Sequence, residues 1–267
     1  MTGVEITPEG AGWTYCGLRV IELAPGESFE LTTGEHETLV LPLSGGCAVG
    51  TDITLTGRPN VFAGPTDFAY VPIASTVTIT SEHGGRFALP SARATRQLPA
   101  RYGPASGVPT ELRGAGRASR QVNNFCTPET FDADKLIAVE VITPGGNWSS
   151  YPPHKHDEHT EGERPLEEIY YFEIDRNGFG YQRVYSSGQQ IDILKEVRSG
   201  DVVLIPHGYH GPSMAAPGYH MYYLNVMAGP DPERIWLFSD DPAHAWIRDT
   251  WADEQIDPRL PFREATS

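Results

Sequence analysis

Apolar and β-branched residues in this chain fall in short alternating runs and almost nowhere at the three-to-four spacing of a helix. The runs Leu18–Leu23, Thr38–Leu43, Ala48–Val49, Phe68–Val71 and Thr76–Thr80 in the first half read as strands. So do Lys135–Thr143, Glu168–Ile174, Gly180–Tyr185, Gly200–Ile205 and His220–Met227 in the second half. Glycine (28) and proline (23) punctuate these runs at the spacing of turns in a β-sandwich or barrel, so the pattern predicts an all-β protein. Between the two groups, the stretch from Arg93 to Arg120 is dense in proline, glycine and charge and reads as a crossing loop. It divides the chain into an N-terminal domain over residues 1–115 and a C-terminal domain over residues 116–267. Both halves repeat one rhythm, a Pro-Gly turn (Pro25-Gly26; Pro144-Gly145) and later a strand closed by proline (Val71-Pro72; Ile205-Pro206), which marks a weak internal duplication. The segment Asp241–Trp251 is expected as a short helix packed on the outside.

Composition then removes whole classes of function. A net charge of −15 with no basic run excludes a nucleic-acid surface, because phosphate binding needs clustered Lys and Arg. No apolar segment is long enough to cross a bilayer, so no membrane partner is expected. The first residues lack the basic and apolar regions of a secretory signal, and the three cysteines, Cys16, Cys47 and Cys126, are widely spaced and odd in number. These features fit a reducing compartment, and the cytoplasm is the expected location.

The candidate chemistry lies in the second half. His154 and His156 are two apart on an extended segment entered through Pro152-Pro153, so both project to one face. Glu168 opens the hydrophobic run Ile169-Tyr170-Tyr171-Phe172, and His210 follows the turn of Pro206 and Gly208. Three neutral imidazoles and one carboxylate suit a borderline divalent cation and leave positions open for a substrate; zinc is the first expectation, with iron, manganese, nickel or cobalt as alternatives. Glu167 and Glu168 are adjacent and must point to opposite faces, so only one can be a ligand, and His207 competes with His210. Lys155 alternates away from the histidines and reads as external. In the first half Gly34-Glu35-His36-Glu37 stands where a His-x-His pair would be expected, so that barrel is expected to lack a metal, with His36 and Glu37 as loop residues.

Beyond the ligands, the motifs Pro-Pro-His154-Lys-His156-Asp, Glu167-Glu168-Ile-Tyr-Tyr-Phe, Gly178-Phe-Gly-Tyr-Gln182-Arg183-Val-Tyr185, Gly200-Asp-Val-Val-Leu-Ile-Pro-His-Gly-Tyr-His210 and Gly218-Tyr-His-Met-Tyr222-Tyr-Leu-Asn225 together resemble the 5-deoxy-glucuronate isomerase family. That family is similar to 4-deoxy-5-threo-hexosulose-uronate ketol-isomerase, within the cupin superfamily. The resemblance spans nearly the whole chain and is strongest from Arg120 to Trp251. It implies a bicupin whose C-terminal barrel holds the metal at His154, His156, Glu168 and His210. It further implies a metal-assisted aldose–ketose isomerisation through an enediol, converting 5-deoxy-glucuronate to 5-dehydro-2-deoxy-gluconate in myo-inositol degradation. Ordinary cupins place the glutamate a few residues after the second histidine, whereas eleven residues lie between His156 and Glu168 here, so a longer hairpin loop is expected.

For such a reaction one group must move a proton, and Glu167, His207, His220 and Tyr222 are the candidates, with solvent ionised by the metal as the equal alternative. The partner implied is a small uronic acid, whose carboxylate would be met by the guanidinium fork of Arg183. Tyr170 and Asn225 are expected to line the pocket and bind the sugar. Arg120-Gln121-Val122-Asn123-Asn124 is expected to brace the barrels, and a homo-oligomer is compatible with all of this. Two rival readings share the fold: a cupin dioxygenase with the same three-histidine, one-glutamate set, and a sugar-acid-binding bicupin without catalysis.

Overall fold

A computed structural model describes residues 3–188 and 190–263. Nine antiparallel strands from Glu5–Ile6 to Arg101–Gly103 curl into the first barrel, in which His36–Val49 is the long central strand, 14 residues in length. The second barrel closes from two six-stranded sheets. One runs in the order Thr110–Arg113, Arg120–Cys126, Ile137–Thr143, Met221–Ala228, Glu167–Ile174, Val202–Ile205. The other runs Asp192–Val197, Gly180–Tyr185, Tyr209–Ala215, His154–Lys155, Ser239–Asp240, with Trp148–Ser149 added against Tyr209–Ala215. The chain therefore passes from one barrel to the other between Gly103 and Thr110, and the stretch expected as a crossing loop contributes a short strand to each. Ala48–Val49 proves to be the end of the long strand. The expected C-terminal helix is a single turn, Ile247–Thr250, carried on by a tighter turn at Trp251–Asp253.

Strand parity explains three cores from one pattern. Along Glu167–Ile174, Tyr170 and Phe172 turn into the second barrel with Val139, Val141, Val203, Met221 and Tyr223. Ile169 and Tyr171 turn the other way, into a shared core with Leu39, Leu41, Tyr70, Tyr222, Leu224 and Val226 that lies between the barrels. The first barrel is filled by Ile21, Leu31, Val40, Ile79, Phe87 and Leu89. Every sheet facing the shared core is thus apolar on both faces, which is why these strands read as continuous hydrophobic runs.

The registers of the two barrels correspond. Thr38 pairs with Val71 on one side and Ser91 on the other, as Glu168 pairs with Ile205 and Met227. Ser91 in turn pairs with Gly17, and Met227 with Ile137. Glu37-Thr38 in the first barrel is therefore the counterpart of Glu167-Glu168 in the second, and residues 14–16 are the counterpart of 134–136. Glu37 is no loop residue: it is wholly buried in its strand, and its carboxylate accepts the backbone N–H groups of Asp134 (2.8 Å), Lys135 (2.6 Å) and Leu136 (2.7 Å) from the other barrel. Reciprocally, Glu167 accepts the N–H groups of Thr14, Tyr15 and Cys16, each at 2.8 Å. A bidentate pair between Arg58 and Glu140 (2.9 and 2.8 Å), both essentially inaccessible, is added at the same interface, with Asn123 donating to Glu140 at 2.7 Å.

Candidate metal centre

His154 lies on a two-residue strand whose backbone pairs with His210 on one side and Asp240 on the other. The His154 and His210 rings stand 4.4 Å apart, and those of His156 and His210 4.8 Å apart. Two of the imidazoles are oriented by carbonyls: His154 Nδ1 is 3.2 Å from Pro152 O, and His156 Nδ1 is 3.1 Å from Leu166 O. A carbonyl can only accept, so Nδ1 carries a proton in each ring. In His154 this leaves the Nε2 lone pair free, the tautomer in which histidine binds a metal, whereas His156 Nε2 donates to the Glu168 carboxylate at 3.0 Å, through a proton that a bound cation would displace. His156 Nε2 and His210 Nε2 then both lie 3.0 Å from the same oxygen of Glu168. One ligand atom each of His156, Glu168 and His210 falls within 4.8 Å of the others, and the His154 ring borders this trio.

The physical chemistry of this cluster calls for a cation. His210 is completely buried; its Nδ1 has no partner, and its Nε2 has none but the Glu168 oxygen 3.0 Å away, a contact without good hydrogen-bond geometry. A buried imidazole without partners costs free energy unless something else in the site satisfies it. Burial pushes the Glu168 carboxyl up, but the adjacent His210 and His156 outweigh it and hold the group ionised, well below the usual carboxylate range. Burial, reinforced by His210, drives His154 well below the ordinary imidazole range and keeps it neutral. Burial lowers the His156 imidazole too, but the Glu168 carboxylate outweighs it and raises the ring above its ordinary range. An ionised carboxylate and imidazoles converging inside a barrel match the donor set of a borderline divalent metal, which would take the place of that proton.

Around the cluster, Tyr170 stands with its ring 6.0 Å from His210 and stacked on Tyr223 at 4.5 Å. Ser150 Oγ joins the two phenols, 2.9 Å from Tyr170 and 3.1 Å from Tyr223, and Ser149 meets Tyr223 at 3.1 Å. Burial and then the charge of Glu168 raise the Tyr170 phenol well above its ordinary range, so it keeps its proton. Asn225 pairs with Tyr170 across the sheet and shares its inward face; its Oδ1 is buried without a partner. Phe238 covers His154 with ring centres 4.7 Å apart.

Several candidates lie elsewhere. Glu167 faces away from the centre, as its parity with Glu168 demands, and is spent on the first barrel's backbone. His207 sits exposed in the turn before Tyr209–Ala215, beside Lys155 and Asp157 in an outer cleft. Tyr222 points into the core between the barrels, with the Arg58 guanidinium 5.7 Å from its ring. His220 accepts the Gly145 N–H at 3.1 Å and packs against Phe262, so it too is remote. Arg183 is on the outer face, paired with Asp192 and lying over Tyr185 at 5.0 Å, because Gln182 and Val184 take the inward positions. Lys155 is external, bound to Asp157 (2.7 Å) and Glu163 (3.0 Å), as its alternation predicts.

What sequence reasoning missed was Tyr223, and the signal was present. Tyr222 and Asn225 have opposite parity, so both could not face the site; choosing Asn225 selects Tyr223. A cation close to His154's strand neighbour and its aromatic cover also went unnoticed. Arg248 pairs with Asp240, the backbone neighbour of His154, and lies over Phe238 at 5.8 Å.

Two tandem antiparallel barrels, the second with an inward histidine–glutamate cluster and the first with threonine at the matching position, define a bicupin with one candidate metal centre among the described residues. The sequence over residues 2–247 matches the model of the KduI/IolB family, and the chain belongs to that family. It is 43% identical over 256 residues to the 5-deoxy-glucuronate isomerase of Geobacillus thermodenitrificans, spanning 92% of this chain and 91% of the relative. Identity to the 5-deoxy-glucuronate isomerase of Bacillus subtilis is 39% over 250 residues, 91% of each protein. The crystal structure of an IolB-like protein from Salmonella typhimurium LT2 superposes with a TM-score of 0.86 at 39% identity, covering 91% of this chain and 94% of that one. An oxalate decarboxylase of Bacillus subtilis shares the fold alone, with a TM-score of 0.63 at 12% identity over 89% of this chain and 74% of its own. Among the described residues no helix is long and apolar enough to cross a membrane.

Proposed function

We propose that this protein is a metal-dependent 5-deoxy-glucuronate isomerase, an aldose–ketose isomerase yielding 5-dehydro-2-deoxy-gluconate in inositol catabolism. The observation that carries the reading is the identity of about two residues in five, over nine-tenths of the chain, to relatives bearing that name. It is supported by a cluster whose buried His210, with no partner but the Glu168 carboxylate, suits a cation. His154, His156, Glu168 and His210 would hold the ion, with zinc expected first. Bound there, a divalent ion supplies Lewis-acid stabilisation to charge developing on the two substrate oxygens, without redox change.

The chain supplies the remaining work. The carbonyls of Pro152 and Leu166 hold the rings of His154 and His156 in one orientation, so no reorganisation accompanies reaction. Tyr170 Oη, protonated and fixed by Ser150, offers a donor to a substrate oxygen, and Asn225 Oδ1 offers an acceptor to a hydroxyl. Phe238 and the stacked Tyr170–Tyr223 pair exclude water. Arg248 replaces Arg183 as the partner of the substrate carboxylate: Arg248→Ala is expected to raise KM about tenfold or more, as losing a charge-assisted pair does, and Arg183→Ala to leave it within about twofold.

Elemental analysis of the purified protein and anaerobic turnover of 5-deoxy-glucuronate in deuterated water test the reading. One divalent ion per chain, with product formed and deuterium incorporated at the carbon that gains the proton, is expected. Oxygen uptake coupled to turnover, or sugar-acid binding that survives chelation with no turnover by the metal-loaded protein, would replace it with one of the two rival chemistries.

A further inference from the structure

We infer that Glu167 is a positioning residue through which the metal-free barrel holds the metal centre in register. The inference rests on the ligand set proposed above. Glu167 and Glu168 share one peptide bond and face opposite ways. On one side, the Glu167 carboxylate is fixed by three N–H groups at 2.8 Å from Thr14, Tyr15 and Cys16. The Cys16 thiol lies 3.3 Å from the Glu167 carbonyl, so the backbone of the same residue is gripped as well. On the other side, Glu168 places one oxygen 3.0 Å from two imidazoles. Glu167 begins its strand, with the longer His156–Glu168 connection just before it. Glu168 is paired on both sides, with Ile205 and Met227, whereas Glu167 is paired with Ala228 alone, so the strand's first residue relies on the grip to fix its second side. Three charge-assisted bonds to a rigid neighbouring barrel provide it.

The molecule contains its own control. Glu37 makes the matching three-bond clasp onto residues 134–136, with a further bond from Tyr70 Oη at 2.6 Å, but its neighbour at the ligand position is Thr38. Loosening either clasp weakens barrel docking. Only loosening Glu167 reaches a metal ligand.

The test is a Co²⁺ titration of chelator-stripped full-length protein, followed by the visible absorption of the bound ion, in wild type, His210→Ala, Glu167→Gln and Glu37→Gln. Glutamine keeps the shape but turns an amide N–H₂ toward backbone donors. Expected are one Co²⁺ per wild-type chain, loss of binding in His210→Ala, and about 10- to 100-fold weaker binding with an altered spectrum in Glu167→Gln. Glu37→Gln should unfold at lower temperature yet keep the wild-type affinity and spectrum. Wild type binding no Co²⁺ would overturn the ligand set and this inference with it. Wild type binding normally while Glu167→Gln matches it, or while Glu37→Gln weakens binding equally, would overturn the inference alone. Should Glu167→Gln not fold, Thr14→Pro, which deletes one donor and leaves Glu167 intact, must weaken Co²⁺ in the same direction; wild-type affinity there would overturn it.

Discussion

At corresponding points the two barrels carry Glu37-Thr38 and Glu167-Glu168. The outward glutamate is present in both copies and does the same thing in both, accepting three backbone N–H groups at the entry to the other barrel's matching strand, Cys16–Leu23 or Ile137–Thr143. The inward residue differs, hydroxyl in one and carboxylate in the other. Docking and chemistry thus sit on opposite faces of one strand, and only in the second barrel does the docking residue adjoin a candidate ligand. The duplicated clasp keeps a pseudo-twofold interface intact, whatever happens inside either barrel. Other parts of the interface have lost the symmetry: Glu140, paired with Arg58, has Val20 as its counterpart, and Asp134 has Thr14.

The largest effect expected from breaking this comparison is on the inward face of the second barrel. His210→Ala and Glu168→Gln should abolish turnover, by about a thousandfold or more, and remove the metal. Their secondary structure should survive, because the first barrel and the shared core are untouched. Circular dichroism alongside metal analysis checks both halves of the claim; full metal occupancy in both variants would defeat it.

Next in size is the asymmetric pair. Arg58→Met keeps the volume of the side chain but strands Glu140, which is wholly inaccessible, and should destabilise the protein by about 3–5 kcal/mol. Urea unfolding measures it. A loss under about 1 kcal/mol would mean that Glu140 finds a second cation or takes up a proton, and that the clasps alone dock the barrels.

A smaller, pH-dependent effect is expected at Asp134. Burial raises its carboxyl, but the backbone N–H groups of Thr95 and Arg96 and the Arg96 guanidinium outweigh this and bring it down to about 2. The folded value lies below the unfolded one of about 3.8–3.9, so the unfolded chain binds the proton more readily and folding is favoured at higher pH. The contribution is complete above about pH 5 and is lost as pH falls through about 4 towards 2. The stability difference between wild type and Asp134→Asn should be flat at neutral pH and shrink over that window. A difference that stays constant down to pH 2 would contradict the assignment.

Much of this division was legible in the residues, because period-two alternation is a local property. That Glu167 and Glu168 face opposite ways follows from parity alone, as does Lys155 outside the His154–His156 pair. The proline-closed strands at Val71 and Ile205 marked the duplication, and these two positions do pair with Thr38 and Glu168. What stayed hidden depends on partners distant in sequence. Nothing near Glu37 or Glu167 announces that its acceptors will be met by N–H groups about a hundred or more residues away, so one read as a loop residue and the other as a catalytic base. Arg183 and Tyr222 were misplaced for a different reason. Their strands could be found, but the face each presents depends on register across the sheet, and a register shift between Gln182 and Val184 adds to this. Gly211-Pro212 interrupts the apolar pattern of Tyr209–Ala215 and hides the length of the strand on which His210 pairs with His154.

The smallest effect is expected from Thr38→Val, and it is the most direct comparison with Glu168→Gln. Thr38 is buried, at 3% exposure, and its neighbours inside the first barrel include Val40, Leu31 and Leu89. Exchanging its hydroxyl for a methyl group should change stability by about 1 kcal/mol or less and leave metal content, kcat and KM as they are. The matching change in the second barrel removes a charge on which two imidazoles converge. If Thr38→Val left stability alone but lowered turnover, the first barrel would have to take part in the chemistry directly, and the separation of docking from catalysis across one strand would fail. Steady-state kinetics and a thermal melt on the single variant decide between these outcomes.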